Sequence, residues 1–328
     1  MLTSICQCSS QLLNFNCRNY DEQVSLLLLG IFPSIIARRG YRGREDIKKA
    51  LTNYFKAGYD ASPDVSDLVR ERGILHRKYG FTTTEQGNFE LSIPWVGTTN
   101  AIPALYWMLL YVASDLQLLE DIRSEVANMM TTTGKGADQT LTFNITRFNS
   151  DCPLLLSTYQ ETIRLTNSQV SVRMVEADTI LSAGNESILV KKGNVVQIPA
   201  GIMHTSTATW GPNSDMFDGR RFIKQVEEGK EQGKAKRSAY IPFGGGKHLC
   251  PGRHFAQAEI LGMVAAVVTG FEILNKNGGP VTEPNMSQVS RRYGQATGKP
   301  KGPAEKLGVK LIRREGMEHV KFGFSAQD

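Results

Sequence analysis

One cysteine follows a run of three glycines, and this arrangement constrains the fold more than any other part of the chain. The run Phe243–Gly252 reads FGGGKHLCPG, with the cysteine at position 250. Gly244 to Gly246 can adopt backbone angles that other residues avoid, and they let a flat ligand approach the main chain. Apolar residues at helical spacing predict a helix over Arg253–Val268, directly behind the cysteine. A thiol at a helix N-terminus is favoured as thiolate, which makes Cys250 a candidate metal ligand.

Two other kinds of segment share features with this run. A phosphate-binding loop is excluded, because Lys247 is followed by His248 rather than Ser or Thr and Ile241 stands where the first glycine should be. A buried structural cysteine beside a flexible loop stays open.

The spaced pattern Phe-x-x-Gly-x-His-x-Cys-x-Gly, with Ala256 four residues after its last glycine, resembles the haem-binding signature of the cytochrome P-450 superfamily. The resemblance implies that Cys250 is the axial ligand of haem iron (haem b). It also implies that His248 contacts a haem propionate. The family usually has arginine at this position, whereas the charge of a histidine depends on pH. Phe243, Gly246 and Gly252 belong to the same cofactor-binding segment. The implied fold is mainly α with small β-sheets, the C-terminal two-thirds or so of a cytochrome P-450.

Two further motifs of the family lie upstream of the cysteine. Glu161 and Arg164 are three residues apart in a helical stretch that Pro153 begins, so they share one helical face. The segment 217–222 resembles the family's Phe-x-Pro-x-Arg-Phe, with glycine in place of the proline. The resemblance implies a buried triad of Glu161, Arg164 and Arg221 behind the haem. On spacing alone, a Glu-x-x-Arg pair would be a solvated helix pair worth about a few tenths of a kcal/mol.

Between these motifs, Val172–Val175 is predicted to be a short strand. In the family an arginine at this place pairs with a haem propionate, so the resemblance makes Arg173 a candidate. An edge-strand arginine in water is the alternative. Met203-His204 and the Trp210-Gly211-Pro212 turn also have counterparts in the family, and both are interpreted as architectural.

The segment Ser92–Trp107 aligns with the long helix that crosses the distal face of the haem in this family. Most members carry an acid followed by a threonine there, whereas this chain has Thr99 and Asn100, our candidate catalytic residues. The placing of tryptophan, asparagine and proline is similar to a smaller group that contains the sterol 7-alpha-hydroxylases and prostacyclin synthase. Asn100 cannot ionise, so protons would have to arrive through water or substrate groups. Taken alone, Asn100 could also be a polar residue at a helix kink beside Pro103.

The resemblance covers roughly residues 24 to 325 and leads us to expect an N-terminally truncated haem domain over residues 21–328. About ninety residues precede the oxygen-side helix, fewer than the family's membrane anchor, first helices and sheet require. Residues 1–20 stay unassigned. Their Cys6, Cys8 and Cys17 could suggest a metal site, but three thiols without a nearby histidine rarely close a zinc shell. A mis-predicted start or a read-through intron is the alternative.

Composition is that of an ordinary globular protein in a reducing compartment. Apolar residues make up 41% and charged residues 21%, and five scattered cysteines form no paired framework. The longest apolar run, Val24–Ala37, is broken by Pro33 and is too short to span a bilayer, so it predicts a packed helix. The resemblance implies the endoplasmic reticulum membrane as location. The family's anchor is not found in this chain, and without it we expect a cytosolic protein.

The net charge of +6 is modest for a chain of this length. No basic stripe with interleaved aromatic residues is present, which excludes the nucleic-acid class. Basic residues surround the cysteine loop, namely Lys230, Lys234, Lys236, Arg237, Lys247, His248, Arg253 and His254. Such runs are usually only solvated surface. The resemblance implies that this face receives electrons from NADPH-cytochrome reductase, whose acidic surface a basic rim would steer.

The resemblance thus implies a haem-thiolate monooxygenase that hydroxylates or otherwise oxidises an apolar secondary-metabolite or sterol-like small molecule with O2 and reductase-supplied electrons. Expected pocket-wall residues are Trp95, Thr99, Asn100 and Pro103, with Ser168–Val172 opposite. Two alternatives stay open: an isomerase or dehydratase of the same fold that acts without a reductase, and an inactive truncated remnant.

Patterning also predicts individual elements. Helices are expected over Arg44–Lys56, over Asp64–Tyr79 behind an N-cap at Ser62, and over Leu116–Met130 behind a capping box of Ser114 and Gln117. Thr131–Gln139 is expected to be a polar connection. Strands are expected near 171–175, 187–190, 195–199, 271–275, 309–313 and 319–323.

Overall fold

The computed structural model describes residues 10–224, 230–285, 289–290, 296–300 and 308–326. Within these residues the fold is mainly helical with small β-sheets, which confirms the predicted class. Two compact units separate between Thr99 and Asn100. Cys6 and Cys8 of the unassigned N-terminal segment lie outside the described residues.

The first unit is built from helices. They are α1 (Ser10–Leu28), α2 (Pro33–Ile36), α3 (Arg38–Lys56), α4 (Asp67–Lys78), α5 (Thr83–Glu90) and α6 (Ser92–Thr99), with a 3-10 turn at Tyr59–Ala61. Helix α3 contains the predicted helix Arg44–Lys56 and extends it towards the N-terminus. Its glycines allow α1 to pack closely: a Cβ at Gly40 would lie 2.7 Å from the Cβ of Gln23, and one at Gly43 would lie 2.6 Å from the Asn16 carbonyl oxygen.

Two expectations for the first unit are wrong. The helix expected from Asp64 begins at Asp67 with Ser66 as its N-cap, because the Ser62 hydroxyl donates to the Asp64 carboxylate at 2.5 Å instead of capping a helix. The apolar run Val24–Ala37 is not one packed helix either. Helix α1 ends within it, and a proline disfavours helical geometry in the residue before it.

Because the helix is interrupted within that apolar run, some of its apolar side chains are exposed. Phe32 has a left-handed φ of 38°, and the side chains of Phe32 and Ile35 are 72% and 74% exposed. Val24 and Ala37 are the buried residues of the run. Among the described helices, none is by itself long and apolar enough to cross a membrane. The bent pair Thr83–Ser114 and Leu116–Ala127, taken together, has the length and composition to do so.

The second unit contains the other helices and all the described strands. Its helices are α7 (Ala101–Ser114), α8 (Leu116–Ala127), α9 (Phe148–Asp151), α10 (Pro153–Thr166), α11 (Ala200–His204), α12 (Thr207–Trp210), α13 (Arg221–Lys224), α14 (Lys230–Ala239) and α15 (Arg253–Gly270), and 3-10 turns lie at Gly136–Asp138 and Gly246–His248. Its strands are β1 (Met130–Thr133), β2 (Thr140–Asn144), β3 (Val170–Met174), β4 (Thr179–Ala183), β5 (Glu186–Val190), β6 (Val195–Pro199), β7 (Phe271–Asn275), β8 (Val289–Ser290), β9 (Lys299–Pro300), β10 (Val309–Arg313) and β11 (Lys321–Ser325).

The strands form one three-stranded and four two-stranded sheets among the described residues. Strand β2 lies between β1, which is antiparallel to it, and β11, which is parallel. The pairs β3–β6, β4–β5, β7–β10 and β8–β9 are antiparallel. All six predicted strands are confirmed within two residues at each end. The expectation of a polar connection over Thr131–Gln139 is wrong at its start, because the threonines of β1 suit a strand once β2 pairs with them.

The capping box predicted before α8 is also wrong. Asp115 is the N-cap, since its carboxylate accepts from the Leu118 N–H at 3.0 Å. The Ser114 hydroxyl donates back to the Tyr111 carbonyl at 3.0 Å. The helix ends at Ala127 rather than Met130.

The hydrophobic core of the second unit lies between α7, α8, α10 and α15. Its fully buried members include Trp107, Met108, Leu118, Ile122, Leu155, Leu261 and Val264. Helix α15, predicted over Arg253–Val268, is therefore held on the core along much of its length. This anchoring fixes the point at which the cysteine loop enters the helix.

Candidate functional site

The cysteine loop, residues 240–252 between α14 and α15, folds back on itself immediately before α15. The Cys250 N–H donates to the Phe243 carbonyl at 3.0 Å, and the Gly244 N–H donates to the Ile241 carbonyl at 3.1 Å. Gly244 and Gly246 have φ values of 76° and 62°, in the left-handed region that favours glycine. The loop therefore needs glycine at these two positions, and it presents Cys250 half-buried at its end.

Open space borders the backbone of this loop. A Cβ placed on Gly245 or Gly246 would meet no atom within 4 Å, and one on Gly252 would lie 3.9 Å from the Cys250 sulfur. A flat macrocycle needs this kind of bare main chain beside its ligand. The residues present therefore fit haem: a half-buried thiol, an open glycine backbone, and, on or beside the loop, the two basic residues expected to contact the propionates.

Those two basic residues are Arg173 and His248. From strand β3, the Arg173 guanidinium donates to the Gly245 carbonyl at 3.2 Å and to the Val172 carbonyl at 2.8 Å. His248 lies in the 3-10 turn of the loop and is exposed. The structure thus brings Arg173 into contact with the cysteine loop. The other face of β3 exposes three apolar side chains, those of Val170, Val172 and Met174.

In the predicted triad, Glu161 is paired with both arginines. The Arg164 guanidinium donates to both carboxylate oxygens of Glu161, at 2.7 and 2.8 Å, and Arg221 Nε donates to Glu161 Oε1 at 2.9 Å. The side chains of Glu161 and Arg164 are fully buried. Arg164 also donates to the carbonyls of His204 and Ser214. Helix α10 is thereby tied to the chain from α11 to α13.

His204 links the triad to the cysteine loop. Its Nε2 accepts from the Ile241 N–H at 3.0 Å, so its Nδ1 carries the proton and donates to the Arg164 carbonyl at 3.0 Å. Burial lowers the pKa of His204 to about 4. The histidine is therefore neutral and holds both neighbours through a single tautomer.

The lowered pKa of His204 predicts an acid-sensitive stability. Between pH 6.5 and about 4 the unfolded chain binds a proton at this histidine and the folded protein does not. Stability therefore falls as the pH drops through this window, by about 3 kcal/mol in total. Urea unfolding at a series of pH values measures it. The variant His204→Gln, which keeps an uncharged donor and acceptor, should lose this component; an identical pH dependence in both proteins would contradict the assignment.

Tyr159 is a buried residue of α10 that the sequence patterns did not indicate. Its hydroxyl lies away from solvent with no hydrogen-bond partner in the part of the chain that the structure describes. Burial raises the pKa of Tyr159, and the charge of Cys250 adds to the effect. The cysteine loop also contacts this helix through Tyr240, whose hydroxyl donates to the Gln160 carbonyl at 3.2 Å.

An unpaired buried hydroxyl costs free energy, so Tyr159→Phe is expected to stabilise the haem-free protein. We expect the free energy of unfolding in urea to rise by about 1 kcal/mol, because the ring is kept and the desolvated hydroxyl is removed. Tyr54→Phe is the matched control, since the Tyr54 hydroxyl donates to the Tyr59 carbonyl. A loss of stability in Tyr159→Phe would mean that the hydroxyl is paired in solution.

The oxygen-side segment Ser92–Trp107 does not form one continuous helix. Helix α6 ends at Thr99 and α7 begins at Ala101. Pro103 explains the break, because it has no N–H to offer the Thr99 carbonyl and its ring would clash with that oxygen. The Thr99 hydroxyl is buried, and none of the described residues pairs with it. Asn100 stands at the break, where its side-chain oxygen accepts from the N–H groups of residues 296 and 297.

The remaining pocket-wall candidates fall in both units. In the first unit, Trp95 packs against Tyr20 with ring centroids 5.9 Å apart. In the second unit, Pro103 is buried and the segment Ser168–Val172 runs into strand β3.

The comparisons with known proteins agree with this fold. A sequence model described as Cytochrome P450 matches residues 7–296. The chain is 34% identical over 308 residues to a cytochrome P450 monooxygenase of Gibberella zeae, covering 93% of this chain and 58% of that protein. It is 30% identical over 216 residues to the 25-hydroxycholesterol 7-alpha-hydroxylase of Rattus norvegicus, covering 63% and 51%. The crystal structure of a cytochrome P450 (CYP102L1) superposes with a TM-score of 0.60 at 21% identity, over 87% of this chain and 60% of that one.

The structural likeness defines the class of fold, a mainly helical architecture with small sheets. The chain belongs to the cytochrome P450 family, whose cofactor is haem with its iron. It spans between about half and three-fifths of the length of the relatives that it matches.

Proposed function

We propose that this protein is a haem-thiolate monooxygenase that oxidises an apolar secondary-metabolite or sterol-like substrate with O2 and electrons from a reductase. Family membership and relatives named as monooxygenases support the reaction class. The observation that carries the proposal is the half-buried Cys250 on an open glycine loop that Arg173 contacts.

Several residues of the second unit would bind haem, each through a different contact. Cys250 would be the iron ligand, and Arg173 and His248 would meet the propionates. Phe243 would keep the loop in place, because its carbonyl accepts the Cys250 N–H. When bound, haem supplies the activation of oxygen that the reaction requires. The triad of Glu161, Arg164 and Arg221 would keep α10 and the chain behind the loop rigid.

Apolar side chains support an apolar substrate. Val170 and Val172, two of the three exposed apolar residues of β3, belong to the expected pocket-wall segment Ser168–Val172, and Met174 follows it. Together they offer aliphatic surface and a thioether. The relative from Rattus norvegicus is named for hydroxylation of a sterol, 25-hydroxycholesterol. A sterol or a secondary metabolite of similar polarity is therefore the proposed substrate class. Thr99 and Asn100 are the proposed distal residues, and neither can ionise near neutral pH.

Exposed basic residues support an acidic electron donor such as NADPH-cytochrome reductase. Lys234, Arg237, Lys247, His248 and His254 are exposed, and the last three lie on or directly after the cysteine loop. The side chain of Lys230 is outside the described part of the chain. A positive rim of this kind would speed encounter with a negatively charged partner.

Labelled oxygen gas tests the proposed reaction. The haem-loaded protein is incubated with a panel of sterols, NADPH and a P450 reductase under 18O2, and the products are analysed by mass spectrometry. We expect one labelled oxygen atom per product. Turnover of a peroxide substrate without NADPH, reductase or label uptake would indicate the isomerase alternative, and a haem-loaded protein inert in both assays would indicate the remnant.

A further inference from the structure

The segment 296–298 is hydrogen-bonded along one side to the end of helix α10. The Ser168 N–H donates to the Ala296 carbonyl at 2.7 Å, and the Gly298 N–H donates to the Thr166 carbonyl at 3.0 Å. Asn167 and Thr297 form an antiparallel bridge between them. The two stretches therefore run side by side as a minimal two-stranded ladder.

Two further side chains, one from the N-cap and one from the middle of α7, are hydrogen-bonded to this segment. Asn100 Oδ1 accepts from the N–H groups of Ala296 and Thr297, at 2.9 and 3.1 Å. Trp107 Nε1 donates to the Gly298 carbonyl at 2.7 Å, and this tryptophan is 1% exposed. The segment is thus fixed by side chains 191 to 197 residues away in the sequence.

Packing leaves the segment little freedom. Thr297 is 5% exposed. A Cβ on Gly298 would lie 2.0 Å from Val289 Cγ1, so glycine is needed where the chain passes that side chain. A displacement of the segment would break several contacts at once.

The same contacts connect the segment to the cysteine loop. Asn167 Nδ2 donates to the Pro242 carbonyl at 2.9 Å, and Asn167 Oδ1 accepts from the Gln169 N–H at 2.9 Å. Pro242 precedes Phe243, whose carbonyl accepts the Cys250 N–H. Gln169 leads into strand β3, which carries Arg173. One hydrogen-bonded network therefore links Asn100 with the loop and the strand of the proposed haem site.

These contacts also restrict what Asn100 can do chemically. A carboxamide oxygen has two lone pairs, and two backbone N–H groups occupy both. The oxygen cannot then accept from a water molecule on a proton path. The amide NH2 group remains, and it is a donor only.

We infer that Asn100 is a positioning residue: its side-chain oxygen fixes the segment 296–298, which is hydrogen-bonded to two expected pocket-wall residues, Asn100 and Ser168, and would therefore line the proposed substrate site with them. The assignment of this segment to a substrate site rests on the proposed function, whereas the contact by which Asn100 positions the segment does not. The segment would set how an apolar substrate is presented, so Asn100 would govern the site of oxidation rather than the delivery of protons.

Hydrogen–deuterium exchange tests the positioning role without any turnover. In the haem-loaded protein, Asn100→Ala should raise the exchange rate of the Ala296 and Thr297 amides by on the order of tenfold, because both lose their acceptor. Asn100→Asp keeps an acceptor oxygen and should leave these rates within about twofold. Asn149→Ala is the matched control, since it removes an exposed asparagine oxygen that accepts from Gln257. Unchanged exchange in Asn100→Ala would overturn the inference.

Product analysis then separates this inference from the proposed function. If the protein is a monooxygenase, Asn100→Ala should change the ratio of hydroxylated positions at least about threefold while the solvent isotope effect on turnover stays unchanged. A changed isotope effect with an unchanged product ratio would contradict the positioning role. Exchange as expected in a protein that yields no oxidised product would contradict the proposed function alone.

Discussion

Arg164→Met should lower the free energy of unfolding by about 3–5 kcal/mol, because it leaves the fully buried Glu161 carboxylate without its bidentate partner. The substitution also deprives the carbonyls of His204 and Ser214 of a donor. A loss of this size is a large fraction of the stability of a typical domain. Urea unfolding of the variant measures it, with soluble yield as a second indicator.

The matched control for this prediction is Lys48→Met. Lys48 pairs with Glu45 at the same three-residue spacing on α3, at 3.2 Å, but both side chains are partly exposed. Such a pair contributes less than about 1 kcal/mol. If the two variants lost similar stability, Arg164 and Glu161 would be a solvated pair, and the proposed rigid triad behind the cysteine loop would be incorrect.

Cys250→Ser should abolish oxidation of every sterol in the panel, because a serine hydroxyl does not replace a thiolate as iron ligand at neutral pH. We expect the product yield to fall by at least about a thousandfold, to the level of free haem. The fold should persist, since Cys250 is half-buried and its N–H bond to Phe243 is a main-chain contact. Near-ultraviolet circular dichroism checks that the variant is folded.

Cys17→Ser is the matched control for the loss of a thiol. Cys17 lies in α1 of the first unit and is likewise half-buried. Its substitution should leave the product yield unchanged. Equal loss of activity in both variants would point to general thiol damage, and full activity in Cys250→Ser would remove the basis of the proposed chemistry.

Local spacing predicted the parts of the site that neighbouring residues determine. The glycines before Cys250, the shared helical face of Glu161 and Arg164, and the helix behind the cysteine depend on contacts within a few residues. Longer apolar alternation likewise predicted strands β3 and β6 within two residues. The positions of Arg173 and Arg221 were implied by the family resemblance rather than by local pattern.

Contacts between distant parts of the chain could not be predicted in this way. The N–H groups that donate to Asn100 and the carbonyl that accepts from Trp107 lie almost two hundred residues away in the sequence, and no local signal indicates them. The break between α6 and α7 had a local signal in Pro103, which the alignment with a continuous helix overrode. The unpaired hydroxyl of Tyr159 depends on what surrounds it in three dimensions, which periodicity does not report.

The central claim is that Cys250 holds haem iron through its sulfur, and the carbon monoxide spectrum of the reduced, haem-loaded protein tests it most directly. We predict the strongly red-shifted Soret band of a thiolate-ligated complex in the unsubstituted protein and its loss in Cys250→Ser. A spectrum without that band from folded protein that has taken up haem would contradict the claim, as would the same band in the serine variant.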